Sequence, residues 1–291
     1  MILALDVGNT NICIGCFAEG KILFTGRMST DHSKTADEYA IGFNSIIRLY
    51  GYHAAEVTGS IISSVVPPLN RVLRDAVKEL TGTVPLQVGP GLKTGLNILL
   101  DNPGQLGSDL VVDAVAAIHQ YPKPLIVVDM GTATTLSAID GEGRYLGGVI
   151  LPGVRVSQDT LTGRTSQLPR ISLEPPGHVI GKNTIDCMKS GAIYGNAAMV
   201  DGLIQRMEEE IGGKATVVAT GGLAECIVPY CRQEVIYDGD LLLKGLMILY
   251  EKNVGAEKAR CQGTSQRSAC GRRVGRLLFF PGDSACSRKT P

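Results

Sequence analysis

Two short acidic turns carry the residues best suited to chemistry. In Ile2–Phe17 an apolar run ends in Asp6, Gly8 permits a sharp bend, and Asn9, Thr10 and Asn11 crowd the turn with donors before a second apolar run. Leu125–Ile139 repeats the pattern, with Asp129 and Gly131 each 123 residues after Asp6 and Gly8. Such a turn suits phosphate binding: main-chain N–H groups converge on an anion, and a carboxylate at the strand end can hold a cation that offsets its charge. A single Asp-x-Gly-Asn also suits a ligand-free hairpin. Recurrence at matched positions favours a duplicated domain with a cleft between the copies.

A third acid, Asp109, follows Gly107-Ser108 at the start of a predicted helix. It could take a proton from a hydroxyl or simply complement the helix dipole, which is expected to lower its pKa. Cys13-x-x-Cys16 has metal-like spacing but lies on a predicted strand, where positions i and i+3 face opposite ways. His32, His53, His119 and His178 form no spaced cluster.

The elements that position these residues form a repeated series. After the first hairpin come a strand at Lys21–Ser29, a helix opened by the capping box Thr35-x-x-Glu38, a buried-type strand at Gly59–Val66, a helix at Leu69–Leu80 and a short strand at Val84–Val88. A glycine-rich loop to Gly95 and a helix over Val111–Tyr121 complete the first half. The second half has a strand at Arg144–Leu151, a helix at Val154–Thr162 and an irregular stretch to Asn183. A long helix capped by Thr184 follows, then strands at Ala215–Ala219 and Glu234–Tyr237 and a last helix at Leu241–Tyr250. This order predicts an α/β fold of duplicated domains, mixed sheets flanked by helices around a central cleft, spanning 1–123 and 124–254. Residues 255–291 carry eight Lys/Arg against Glu257 and Asp283, lack periodicity apart from Leu277–Phe280, and are expected to be a disordered basic tail.

At 291 residues and 44% hydrophobic, the chain can bury a sizeable core. Twenty-eight basic and twenty-eight acidic side chains balance, and no helix-turn-helix, aromatic stacking set or basic stripe precedes the tail, so no nucleic-acid partner is expected. Met1 leads straight into a strand and no apolar run reaches membrane-span length. These features predict a cytoplasmic protein with no membrane partner and reduced cysteines.

The ordered set Asp6-Val7-Gly8-Asn9-Thr10-Asn11, Gly89 to Gly95, Asn102-Pro103, Gly107-Ser108-Asp109, Asp129 to Thr135, Gly147-Gly148 with Pro152-Gly153, and Thr220-Gly221-Gly222 resembles the type III pantothenate kinases, within the acetate and sugar kinase, Hsp70 and actin superfamily. The resemblance covers about residues 1–252 and implies two ribonuclease-H-like domains. It also implies ATP-dependent phosphorylation of pantothenate to 4'-phosphopantothenate, Mg²⁺, a monovalent cation (K⁺ or NH₄⁺) and a homodimer. Carried over by position, Asp6, Val7, Gly8, Asn9, Thr10, Asn11, Ile12 and Cys13 form the first phosphate loop, with Asp6 near Mg²⁺. Thr132 is the second phosphate contact, Asp129 the monovalent-cation ligand, and Gly221 and Gly222 lie against adenosine. Gly107, Ser108, Asp109 and Leu110 match the pantothenate stretch, with Asp109 as base, and Leu100 and Thr184 stand at further substrate positions.

Two positions depart from the family pattern: Leu110 replaces the usual Arg and Leu100 the usual Tyr. Arg155, Arg164 or Lys182 could supply the missing positive charge. These departures keep open a superfamily ATPase or a kinase for another small molecule, and the basic tail keeps open a regulatory, nucleic-acid-binding protein.

Overall fold

Apolar runs such as Leu3–Leu5 and Leu125–Val128 fill both faces of a strand and need cover on each side. The computed structural model, which describes residues 1–254, supplies that cover with helices. Strands β1 (Ile2–Val7), β2 (Asn11–Ala18), β3 (Lys21–Ser29), β4 (Gly59–Ser64) and β5 (Leu86–Gln87) form a sheet in the order β3-β2-β1-β4-β5. The first three pair antiparallel, and β4 and β5 add in parallel.

The second sheet repeats this plan. Strands β7 (Leu125–Met130), β8 (Ala133–Ile139), β9 (Arg144–Pro152), β10 (Thr216–Thr220) and β11 (Ile236–Tyr237) stand in the order β11-β10-β7-β8-β9, and β6 (Asn97–Ile98) joins the edge beside β9. Two mixed sheets with the same strand order, each flanked by helices, bear out the duplicated α/β fold.

Five layers result. Helices α1 (Ala36–Leu49) and α2 (Asn70–Thr81) cover the outer face of the first sheet, burying Tyr39, Phe43, Ile47 and Leu73 against Leu3, Leu5, Val7, Ile12 and Ile14. Between the sheets lie α3 (Ser108–Gln120) and the last helix, residues 241–254, here α8. On α3, Val112 and Val115 join Ala4, Phe17 and Ile61 of the first sheet. Ala114, Ala116 and Ala117 join Leu125, Val127 and Val218 of the second. The small alanine side chains permit this double contact. Helix α4 (Val154–Arg164) follows β9. Helices α5 (Thr184–Ser190), α6 (Asn196–Ile211) and α7 (Ala224–Ile227) lie beyond, and the outer core of the second sheet includes Val154, Ile193, Val200, Ile204 and Ile227.

Several sequence expectations change. The cap of α5 is Asn183, whose side chain accepts from the Asp186 N–H, and Thr184 is the first helical residue. The long helix changes to π geometry at Gly191–Gly195, where two glycines loosen the ladder. Helix α3 starts at Ser108, earlier than its apolar periodicity suggested. The halves also exchange elements across the 123/124 division: β6 pairs with β9, and α8 packs Leu243, Leu246 and Leu249 on the first sheet. Met1–Asn253 pack as one unit. The basic tail, with Leu277–Phe280, lies outside the described residues. No described helix is long and apolar enough to cross a membrane.

Candidate active site

Strand alternation aims the two turn acids at the same space. In β1, Leu3, Leu5 and Val7 face α1 and α2 while Ala4 faces the inter-sheet layer, so Asp6 points inward with Ala4. In β7, Leu125 and Val127 face α3, and Asp129 follows them. Helix α3 brings Asp109 in its first turn and Asp113 one turn later.

Among the described residues these four aspartates lack a cationic partner, and each has its pKa raised. Asp6 is pushed up to about 8 by burial, then by Asp109 and Asp129. Asp129 is pushed up to about 7 by burial and by Asp109. Asp113, 1% exposed, is raised by burial and then by Asp129, Asp6 and Asp109, and neither of its oxygens has a hydrogen-bond partner. Among the described residues, no Lys or Arg lies within 4.0 Å of any of the four. Buried Asp238 provides the contrast: Lys244 Nζ reaches it at 2.7 Å and the Tyr121 hydroxyl donates to it at 2.8 Å.

The expected lowering of the Asp109 pKa is corrected. Burial raises it and outweighs the Leu110 N–H, which donates to Oδ1 at 2.8 Å. Burial wins because α3 enters between two sheets, whereas the dipole effect is at most modest for such a group.

Unpaired carboxylate oxygens suit hard cations such as Mg²⁺. Among the described residues, no three His, Cys, Asp or Glu converge closely enough to hold an ion alone. A cation here needs further oxygens, which phosphate and water can supply.

The turns touch directly, Thr10 Oγ1 lying 2.9 Å from Thr132 Oγ1. In the first, the Gly8 N–H donates to Asn11 O at 3.0 Å, while Thr30 donates its N–H to Thr10 O at 3.0 Å and its hydroxyl to Gly8 O at 2.6 Å. In the second, the Gly131 N–H donates to Ala133 O at 2.9 Å and the Gly153 N–H to Thr132 O at 3.0 Å. Neither Gly8 nor Gly131 uses left-handed backbone, so the sharp bend does not depend on positive φ. Gly221 does, with φ 91°, and a Cβ there would strike Asp129 and the Met130 backbone.

Val7 and Ile12 point into the core, leaving only their main chain for a ligand, while Asn9, Thr10 and Asn11 are exposed. Cys16 is buried on the outer face and Cys13 half-buried on the inner one, as the strand spacing predicts. The Ser108 side chain is committed elsewhere: its Oγ donates to Ser64 O at 3.0 Å and accepts from Ser63 Oγ at 3.0 Å, fixing α3 to β4. Leu100 and Leu110 are half-buried, Leu100 facing Gly147 at the strand edge. Thr184 lines a cavity of about 710 Å³ with Val154, Gln158, Leu161 and Lys182, and none of the four aspartates lines it. Of the three suggested cations, only Lys182 lies on this cavity.

Asp113 and Arg27 escaped sequence reasoning. Asp113 had a signal, the i+4 spacing from Asp109 in an otherwise apolar helix. Arg27 had one only in register, as the cross-strand partner of Cys13.

The family model described as type III pantothenate kinase matches residues 2–206. A type III pantothenate kinase from Bacillus cytotoxicus is 46% identical over 253 residues, 87% of this chain and 97% of that protein. One from Moorella thermoacetica is also 46% identical, over 87% of this chain and 100% of its own. A solved activator of 2-hydroxyisocaproyl-CoA dehydratase from Clostridium difficile, with bound ADPNP, shares the fold at a TM-score of 0.50 and 13% identity, over 96% of this chain and 99% of that one. Matched along most of its length by that family model, and over 87% of it by relatives of that identity, the chain belongs to the type III pantothenate kinase family.

Proposed function

We propose that this chain transfers the γ-phosphoryl group of ATP to the primary hydroxyl of pantothenate, giving 4'-phosphopantothenate in the first step of coenzyme A synthesis. The observation that carries this reading is the delivery of Asp109 by α3 into the space faced by Asp6 and Asp129, with its pKa raised by burial. Phosphoryl transfer through a loose transition state needs positioning and charge neutralisation more than a strong base.

The two turns cradle the phosphates through main-chain N–H groups and the Thr10 and Thr132 hydroxyls. Asp6 is the residue that would hold Mg²⁺, and Asp129 the one that would hold K⁺ or NH₄⁺. Bound cations supply the neutralisation that the four aspartates otherwise lack. Gly221 and Gly222 are the residues that would lie against adenosine. Asp109 orients the acceptor hydroxyl and takes its proton as the bond to phosphorus forms, a role its raised pKa favours. The duplicated halves divide near 123/124 in sequence. Exposed Ile150, Val179 and Ile180 support a homodimer, in which a second copy would cover them and bring Thr184 to a shared acceptor pocket.

Leu100 and Leu110 favour a second reading, a kinase for a different small alcohol, because neither side chain can pair with a carboxylate. Both are tested by ADP release from purified protein with Mg²⁺, in K⁺, NH₄⁺ and Na⁺ salts, with and without pantothenate, and by the mass of the product. Pantothenate-dependent turnover that is faster in K⁺ or NH₄⁺ is expected. ADP release indifferent to pantothenate would overturn the assignment.

A further inference from the structure

We infer that Arg27 binds the polyphosphate of the nucleotide, closing the cleft from the first-sheet side, an inference that rests on the nucleotide site proposed above. Strand register sets its position. Asp6 stands opposite Cys13, and Cys13 opposite Arg27, so the three side chains form one row across β1, β2 and β3. The row lies on the inner face, because Ile12 and Ile14 on either side of Cys13 belong to the outer core.

Two strand spacings separate Arg27 from Asp6, roughly 10 Å. No ion pair forms between them. The side chain instead reaches over the cleft to the second half: a Cβ on Gly222 would lie 3.2 Å from Nη1. Arg27 thus spans the gap between the last residue of the first phosphate turn and the glycine turn assigned to adenosine.

The guanidinium is also without an anion. Among the described residues, no carboxylate lies within 4.0 Å of it. Its cross-strand partner on β2 is Cys13, whose thiol pKa is raised by burial and Asp6 although Arg27 itself pulls it down. A planar fork of donors beside two N–H-rich turns, with no acid of its own, fits phosphate oxygens. Asp6, the one carboxylate of the row, stands at its other end.

The test is direct binding of ATP, ADP, AMP and adenosine to wild type, Arg27→Lys and Arg27→Met, by titration calorimetry without acceptor. Arg27→Met should weaken ATP and ADP by about 10- to 100-fold while changing adenosine less than about threefold. Arg27→Lys should keep more ATP affinity than Arg27→Met, because it retains the charge without the fork. Thermal melting of each variant checks folding, and if Arg27→Met does not fold, the Arg27→Lys ladder across the four ligands decides. Equal losses for adenosine and ATP would make Arg27 a base-stacking residue and overturn the inference, as would wild-type ATP affinity in Arg27→Met. Failure of the wild type itself to bind ATP would overturn the proposed nucleotide site instead.

Discussion

The turn after β1 and the turn after β7 share Asp-x-Gly and the same place in the same strand order, yet they are held in different ways. The first is open: three residues, Gly8 to Thr10, link its strands, Asn9, Thr10 and Asn11 face solvent, and Thr30 props it from beneath. The second has only Gly131 and Thr132 between its strands and is clamped by two further glycine turns, Gly153 on Thr132 and Gly221 against Asp129. Duplication thus preserved the acid and the bend but split the work. The open turn leaves its polar side chains exposed, and the clamped one is held rigidly.

In the reaction proposed above, neither turn supplies the proton acceptor; Asp109 on α3 does. The largest expected effect follows from that division. Asp109→Asn keeps shape and the Leu110 contact but cannot accept a hydroxyl proton, so kcat should fall by about 10²-fold or more with ATP affinity nearly unchanged. Steady-state kinetics with separate nucleotide titration check this, and near wild-type kcat would leave the aspartate a positional role only.

A second contrast concerns the glycines. Gly221→Ala should destabilise the protein by about 2–4 kcal/mol, since a left-handed alanine is strained and its Cβ meets Asp129 and the Met130 backbone. Gly8→Ala should cost about 1 kcal/mol or less, because its backbone is ordinary and its Cβ would sit 3.2 Å from Asn11 O. Urea unfolding of both variants gives the ordering. Similar losses would mean that the first turn is as tightly clamped as the second.

Much of this was legible in the sequence, for reasons that separate local from non-local signals. The hairpins, the capping box at Thr35 and Glu38, and the acids Asp6, Asp109 and Asp129 all announce themselves within a few residues. Elements fixed by distant partners did not. Two-residue β6 has no pattern of its own and exists because β9 offers an edge. The raised Asp109 pKa depends on two sheets closing over α3, and Arg27 acquires meaning only when β3 is placed in register with β2. Asp113 acquires meaning only once both faces of α3 are buried between the sheets.

The charge shared between the turns gives a third prediction. Asp6 and Asp129 keep their protons in the folded state to about 8 and about 7, but lose them near 3.8 when unfolded. Between those limits the native state binds more protons than the unfolded one, so stability falls as pH rises. Melting in buffer free of Mg²⁺, K⁺ and NH₄⁺ should drop by several degrees from pH 5 to pH 8, on the order of a few kcal/mol. Adding Mg²⁺ should raise Tm more at pH 8 than at pH 5. Asp6→Asn should flatten the upper part of the profile and Asp129→Asn the part below it. A cation-free profile that is level, or that climbs with pH, would show that the acids do not carry the burden assigned to them.

The smallest effect tests whether the two turns act as one cradle. Thr10 and Thr132 meet hydroxyl to hydroxyl at 2.9 Å, 122 residues apart and both exposed. Valine matches threonine in shape and removes the hydroxyl, so Thr10→Val, Thr132→Val and the double variant form a cycle that isolates the pair. Solvent competes for both groups, and the coupling in unfolding free energy should be only about 0.5–1 kcal/mol. The same cycle applied to the KM for ATP carries the sharper information. If each hydroxyl serves a phosphate independently, the two losses add; if each aligns the other, the second substitution costs less than the first. Non-additivity in KM together with a small stability coupling is the expected result. Additive losses in both measurements would mean that the turns meet without acting together, and the comparison between them would reduce to two separate half-sites.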